Sequence, residues 1–282
     1  MRSTIEKTYK VSNKSMKKHI SLLFTAVLLT FTAAWAQTPA QNAALSLKSI
    51  LQALISHHDQ LGYDDLWGAF QQVDMTPDGK IYEIYSNAYT YDPQDKGVTT
   101  SKEGDGYNRE HSVPQSWFGS ATPMYTDLFH MYPTDGWVNS LRGNSPYGEV
   151  SSATNHSANY YSQIGPCKSS LGYTGTVFEP SDEIKGDIAR TYFYMATCYG
   201  DQVGTWNHEN SIFGVSDTFP SVEGYPGMAE WALRMFINWS KNDPVSDRER
   251  ERNDAIYKIQ GNRNPFIDCP GLERFIWSDY IK

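Results

Sequence analysis

Between residues 107 and 144 the chain carries more chemistry-bearing side chains than a helix or strand core needs. Tyr107-Asn108-Arg109-Glu110-His111 comes first, then Asp127-Leu128-Phe129-His130, then Pro133-Thr134-Asp135 and Val138-Asn139-Ser140-Leu141-Arg142-Gly143-Asn144. If Glu110-His111 is extended, its two side chains point to opposite faces, so one can hold a cation while the other faces a substrate. A neutral imidazole, with a pKa of roughly 6.5, can accept a proton from water. An asparagine oxygen is a hard, neutral donor suited to Mg2+ or Ca2+. Asn139 and Arg142 are three apart and share a helix face, offering an amide and a guanidinium to a cation and a phosphate. Each residue taken singly also has a plain reading: a hydrogen-bonded structural histidine, and turn or cap asparagines at 139 and 144.

Positioning these groups requires a strand over Glu110-His111 and a short helix over Asn139. Pro133-Thr134-Asp135 predicts a helix start, with Thr134 or Asp135 as N-cap, and a helix from Gly136 to Leu141 or Arg142 that stops at Gly143. Trp137, Val138 and Leu141 are its core-facing candidates. Elsewhere, apolar spacing predicts an amphipathic helix over 44–57, closed by His57-His58, and a short helical or turn segment over 63–70. The β-branched and aromatic run 81–85 follows the turn Pro77-Asp78-Gly79 and predicts a strand. Residues 86–106, 151–175 and 201–226 read as loops, the second as a long surface loop able to line a site. Ser181 is the N-cap candidate for a helix ending near Gly200, and 228–239 carries another strong apolar stripe. Ser246 and Glu249 form a capping box that opens a charged helix to about Ile259, stopped by Gly261. The sum is an α+β fold: one mostly helical domain with a small sheet.

The N-terminus reads as a targeting segment. Met16-Lys17-Lys18-His19 is basic, 20–33 is apolar, and Ala34-Trp35-Ala36 is a cleavage signal. Residues 1–36 are therefore expected to be an N-terminal extension plus signal peptide. Residues 37–282 are expected to be one secreted or periplasmic domain, monomeric and without stable membrane association after cleavage. The extension takes six Lys/Arg and one Glu with it, leaving 18 basic and 31 acidic side chains and a net charge of −13. That acidity opposes tight non-specific binding of nucleic acid and suits cation binding. Cys167, Cys198 and Cys269 show no zinc spacing, and secretion would allow one disulfide with one thiol left over.

The order Asn-Arg-Glu-His-x-x-Pro-x-x-Trp, Asp-Leu-x-His-x-x-Pro-Thr-Asp and Val-Asn-x-x-Arg-x-Asn resembles the bacterial endonuclease I family. Phe178-Glu179-Pro180 with Lys185-Gly186-Asp187-Ile188-Ala189-Arg190-Thr191-Tyr192 matches a second block of that family. Arg252-Asn253 with Gln260-Gly261-Asn262-Arg263-Asn264-Pro265-Phe266 matches a third. The resemblance implies a sequence-nonspecific endonuclease with a ββα-metal (His-Me finger) site, acting on DNA and compatible with RNA, and leaving 5′-phosphate ends. It implies His111 as general base, and Glu110 and Asn139 as ligands of one Mg2+, a role Ca2+ or Mn2+ could also fill. Asp127, His130 and Asn144 are then orienting residues, and Arg252, Gln260, Asn262 and Asn264 candidate contacts to the sugar-phosphate backbone, their plain reading being a loop fastened by its own side-chain hydrogen bonds. One departure stands out. The family's phosphate-stabilising arginine lies in a cysteine-containing insertion, but residues 118–126 hold neither arginine nor cysteine. Arg142 is the first candidate for that charge, with Arg109 and Arg190 behind it. The missing arginine also leaves open a secreted nucleic-acid-binding module weakened in catalysis. Neither Gly-x-Ser-x-Gly nor His-Glu-x-x-His occurs, so serine-hydrolase and zincin chemistry lack their signals.

Overall fold

Two antiparallel strands and the short helix that follows them form the unit around which the fold is arranged. The computed structural model describes residues 39–278 apart from 99, 207 and 215–226; the expected signal segment and part of the loop expected over 201–226 lie outside the described residues. Strand β1 (Tyr107–His111) pairs with β2 (Met131–Asp135), with Tyr107 opposite Asp135, Glu110 opposite Tyr132 and His111 opposite Met131. Pro133, expected at a helix start, instead sits inside β2. A two-stranded ribbon tolerates this, because one edge of each strand has no ladder to donate to. Helix α3 (Gly136–Arg142) follows without a linker. Asp135 caps it, its carboxylate accepting the N–H of Trp137 at 2.8 Å and of Val138 at 2.9 Å. Gly143 ends it at φ +56°, a backbone conformation that favours glycine.

A helical body backs this unit. Helix α4 (Lys185–Cys198) is buried nearly all round, and α1 (Pro39–Ile55), α5 (Glu230–Asn242) and α7 (Pro265–Asp268) pack against it. The predicted stripe on α1 holds, with Leu47, Leu51 and Ile55 in the core. Ser181 does not cap α4. Its carbonyl accepts the Ile184 N–H in a turn, and the helix opens at Lys185 without a side-chain cap. Helix α6 (Asp247–Gln260) has the predicted capping box and ends at Gly261, φ +81°. It packs on α2 (Leu66–Val73), and α8 (Glu273–Ile276) contacts α1.

Two expectations about sheet are corrected. The run 81–85 is not a strand: Ile81 makes single bridges to Met75 and Tyr91. The Tyr82 N–H goes to Asp74 O and the Tyr85 N–H to the Glu83 carboxylate, so side chains and turns take the bonds a ladder would need. Conversely, the stretch read as surface loop contributes β3 (Asn155–His156) and β4 (Gln163–Pro166), which join β5 (Thr176–Glu179) in an antiparallel sheet. Val177 and Phe178 are fully buried and anchor that sheet to the core. All three cysteines are free thiols, with Cys198 buried. Among the described residues no helix is long and apolar enough to cross a membrane.

Candidate active site

Alternation along β1 turns Asn108 and Glu110 toward α3 and leaves Arg109 and His111 on the opposite face. Asn139, on α3, donates its Nδ2–H to Asn108 Oδ1 at 2.6 Å. That bond fixes the amide and leaves Asn139 Oδ1 as the outward acceptor. Glu110 is 3% exposed, and its Oε1 accepts from Tyr85 Oη at 2.8 Å and from Arg142 Nη1. Both contacts fall on one oxygen, so Oε2 has capacity for a further partner. Burial raises the Glu110 pKa, while Arg142 and the Tyr85 hydroxyl oppose the shift. Behind it, the hydroxyls of Tyr85 and Tyr147 hydrogen-bond to each other.

His111 lies at the end of the same strand, 6% exposed. Its Nε2 is 3.0 Å from Tyr125 O. A carbonyl only accepts, so Nε2 carries the proton and Nδ1 holds the lone pair. The ring stacks on Tyr125, centroids 5.0 Å apart, and Tyr125 stacks in turn on Tyr63 at 4.6 Å. Burial, and secondarily His130, push the His111 pKa down to about 3, so the imidazole is neutral at ordinary pH. Arg109 spreads its guanidinium over Tyr63 and Trp67, 3.5 and 4.4 Å from the ring centroids. Its Nη1 donates to Tyr63 O at 2.8 Å, and its ion-pair partner Asp64 is 95% exposed, so that pair is weak and the charge is little compensated.

Asp127 and His130 form a wall behind the histidine. Asp127 accepts from the hydroxyls of Tyr194 and Tyr199 and from Gln260 Nε2, at 2.7–3.1 Å. His130 Nε2 donates to Met124 O at 2.6 Å, and its ring lies 5.6 Å from that of His111. His58, Asp127 and Cys198 bring three donor atoms within 4.8 Å of one another, close enough for a shared metal. Two tyrosine hydroxyls already occupy the Asp127 oxygen, however. Burial also raises the Cys198 pKa, favouring the thiol over the thiolate a metal needs. The set therefore reads as a hydrogen-bonded brace. His58, just past the end of α1, places its Nε2 3.0 Å from Tyr199 Oη.

Several expected contacts with substrate are not met. Arg142 does not face a phosphate: it is 1% exposed, bonded to Glu110, His111 O and Ser112 O, and stacked over Tyr147. Arg190 is equally buried and forks onto both oxygens of Glu249 at 2.6 and 2.7 Å. Arg252 is held by Asp74 and donates to Leu128 O and Met131 O. Gln260 bonds Leu128 N and Asp127, Asn262 bonds Ile55 O and Tyr194 Oη, and Asn264 caps α7 and donates to Arg190 O. These four side chains are buried and tie the C-terminal helices to the core, as in the plain reading of this loop as one fastened by its own side-chain hydrogen bonds. Asn144 is exposed on the loop after α3.

Asn108, Tyr85, Tyr147 and Tyr125 were not singled out by sequence reasoning. Asn108 could have been found, since i and i+2 share a strand face and Glu110 was already a candidate. Tyr85, twenty-five positions from Glu110, carries no local signal.

A family model described as Endonuclease I matches residues 43–271. An extracellular ribonuclease of Bacillus subtilis (strain 168) is 37% identical over 235 residues, covering 82% of this chain and 74% of its own. An extracellular ribonuclease of Bacillus amyloliquefaciens is 34% identical over 247 residues, covering 84% and 75%. An extracellular deoxyribonuclease of Aeromonas hydrophila is 30% identical over 146 residues, 51% of this chain and 50% of that protein.

Proposed function

The chain belongs to the endonuclease I family, and from that premise we propose that it is a secreted, metal-dependent nuclease that hydrolyses phosphodiester bonds of DNA and RNA with little regard to sequence. The observation that carries the reading is the strand–strand–helix unit. It turns a buried carboxylate and a locked amide oxygen to one side of β1, and ends that strand on a neutral histidine with a free Nδ1. This supports the ββα-metal reading. Glu110 Oε2 and Asn139 Oδ1 are two hard oxygens, a donor set that fits Mg2+, and also Ca2+ or Mn2+. When bound, such a cation supplies Lewis-acid neutralisation of the charge that builds on the phosphate and the departing 3′-oxygen.

The chain's own groups do the rest. His111 Nδ1 takes the proton from a water as its oxygen bonds to phosphorus. The bond to the 3′-oxygen breaks, that oxygen is protonated from solvent, and the phosphate stays on the 5′ end. Tyr125 O holds the imidazole in the required tautomer. Arg109, on the His111 face and partly exposed, supplies positive charge at the phosphate. Arg142 and Tyr85 position Glu110. Both ribonuclease and deoxyribonuclease names among the relatives support action on both nucleic acids. Their extracellular names support export through a cleaved signal within residues 1–36.

Cleavage of plasmid DNA and of RNA, with and without EDTA, tests the reading. We expect EDTA to abolish both activities and Mg2+ to restore them. His111→Ala should lose roughly two or more orders of magnitude in kcat with the fold retained. Full activity in that variant would overturn the mechanism.

A further inference from the structure

The turn between β3 and β4 exposes an aromatic pair that the mechanism above does not use. Tyr160 is 60% exposed, and its ring stacks on His156 with centroids 3.6 Å apart and planes 21° from parallel. One face of Tyr160 is covered by the imidazole, so the other is left to solvent. The backbone holding it is strained: Asn159 and Tyr160, neither of them glycine, sit at φ +57° and +55°.

The strained turn is tied to the candidate site on several sides. The Ala158 N–H donates to Glu103 Oε2 at 2.7 Å, and the next residue, Gly104, donates to Asp135, the cap of α3, at 2.8 Å. Asn159 Nδ2 donates to Asn87 Oδ1. Ser162 Oγ donates to the carbonyl of Tyr85, whose hydroxyl bonds Glu110. Strand β3 itself packs on α3, the helix that carries Asn139. His156 is oriented as well, its Nδ1–H donating to Ser157 O at 2.8 Å. A solvent-facing ring held in this way has its conformational entropy already lost, as a stacking surface requires.

We propose that Tyr160, backed by His156, is a stacking step for an unpaired nucleobase beside the cleavage site, so that the enzyme engages single-stranded nucleic acid by base stacking. The inference rests on the nuclease reading for its ligand. The chemistry is that of single-strand binders, in which aromatic rings accept any base because every base has a π face. In a duplex the base faces are occupied by their neighbours, so Tyr160 has no purchase there.

The test is the equilibrium binding of a fluorescently labelled single-stranded oligodeoxynucleotide in EDTA, where no turnover occurs, followed by anisotropy. Tyr160→Ala should weaken binding about tenfold and leave affinity for a duplex of the same sequence unchanged, while Tyr160→Trp keeps the wild-type value. Tyr160→Gly removes the ring and the strain together, so it should raise Tm while losing the same affinity. Equal affinity of wild type and Tyr160→Ala for the single strand, absent binding included, overturns the proposal. Tyr160-dependent binding by a protein that cleaves nothing with Mg2+ would instead sink the nuclease reading and leave the stacking step standing.

Discussion

Two arginines near the candidate site differ in depth, and depth decides what each can do. Arg142 is fully buried and bonds the carboxylate that a cation would share, so its charge is spent inside the protein. Removing it strands Glu110 as an uncompensated buried charge, and Arg142→Ala should cost about 3–5 kcal/mol. Chemical denaturation of the purified variant reads that loss. Arg109 is partly exposed, stacks on Tyr63 and Trp67, donates to Tyr63 O and forms its ion pair with the solvated Asp64. Arg109→Ala should leave Tm within a few degrees and lower kcat by roughly 10²-fold, the scale of losing one charge-stabilising donor. Melting and turnover of both variants together check the assignment; a large loss of stability with little loss of turnover at Arg109 would reverse it. Glu110, His111 and Asn139 stood out in the sequence as candidates because their types and order are unusual. That Arg142 is buried against Glu110 while Arg109 is partly exposed did not, because strand facing and burial depend on residues far away.

At the level of elements, β2 and α3 meet at Asp135, which caps the helix and also accepts from Gly104 N and Tyr91 Oη. Asp135→Ala should cost roughly 1–2 kcal/mol for the cap alone. Because α3 carries Asn139, the same change should weaken Mg2+ affinity, measurable by titrating activity against the cation. Ser246→Ala opens the capping box of α6 and should cost about 1 kcal/mol with kcat unaltered, which separates loss of stability from loss of site geometry. These caps were readable because a cap is local: the side chain and the N–H groups it satisfies lie within three residues. The β3–β4–β5 sheet was not readable, since its strands are short and find each other across turns that look like loop.

The whole molecule is acidic and buries several of its acids. Burial raises the pKa of Glu83 to about 8, and raises those of Asp187, Asp243 and Glu273, with neighbouring Glu249 adding to the effect at Asp187. A carboxyl whose folded pKa is raised contributes stability below its unfolded value near 4.5, and loses it as pH climbs through the folded value. Urea midpoints should therefore fall between pH 4.5 and 8, and Glu83→Gln should flatten that slope. Asp127, whose pKa is lowered by His58 and His130 against its burial, acts in the opposite sense and limits stability in stronger acid. By itself the sequence determined the helices with caps and apolar stripes, the short helix that carries Asn139, and the family likeness, since these are written in local spacing; β2 was not among them, because Pro133 reads as a helix start. Only the tertiary structure decided which partners Arg252, Gln260, Asn262 and Asn264 take within the core. It also decided that Arg142 bonds Glu110, and that the exposed Tyr160 lies on the turn after a strand packed against α3. Burial is a property of what packs against a residue, and those partners lie up to about two hundred positions away in the chain, as Asn262 bonded to Ile55 illustrates.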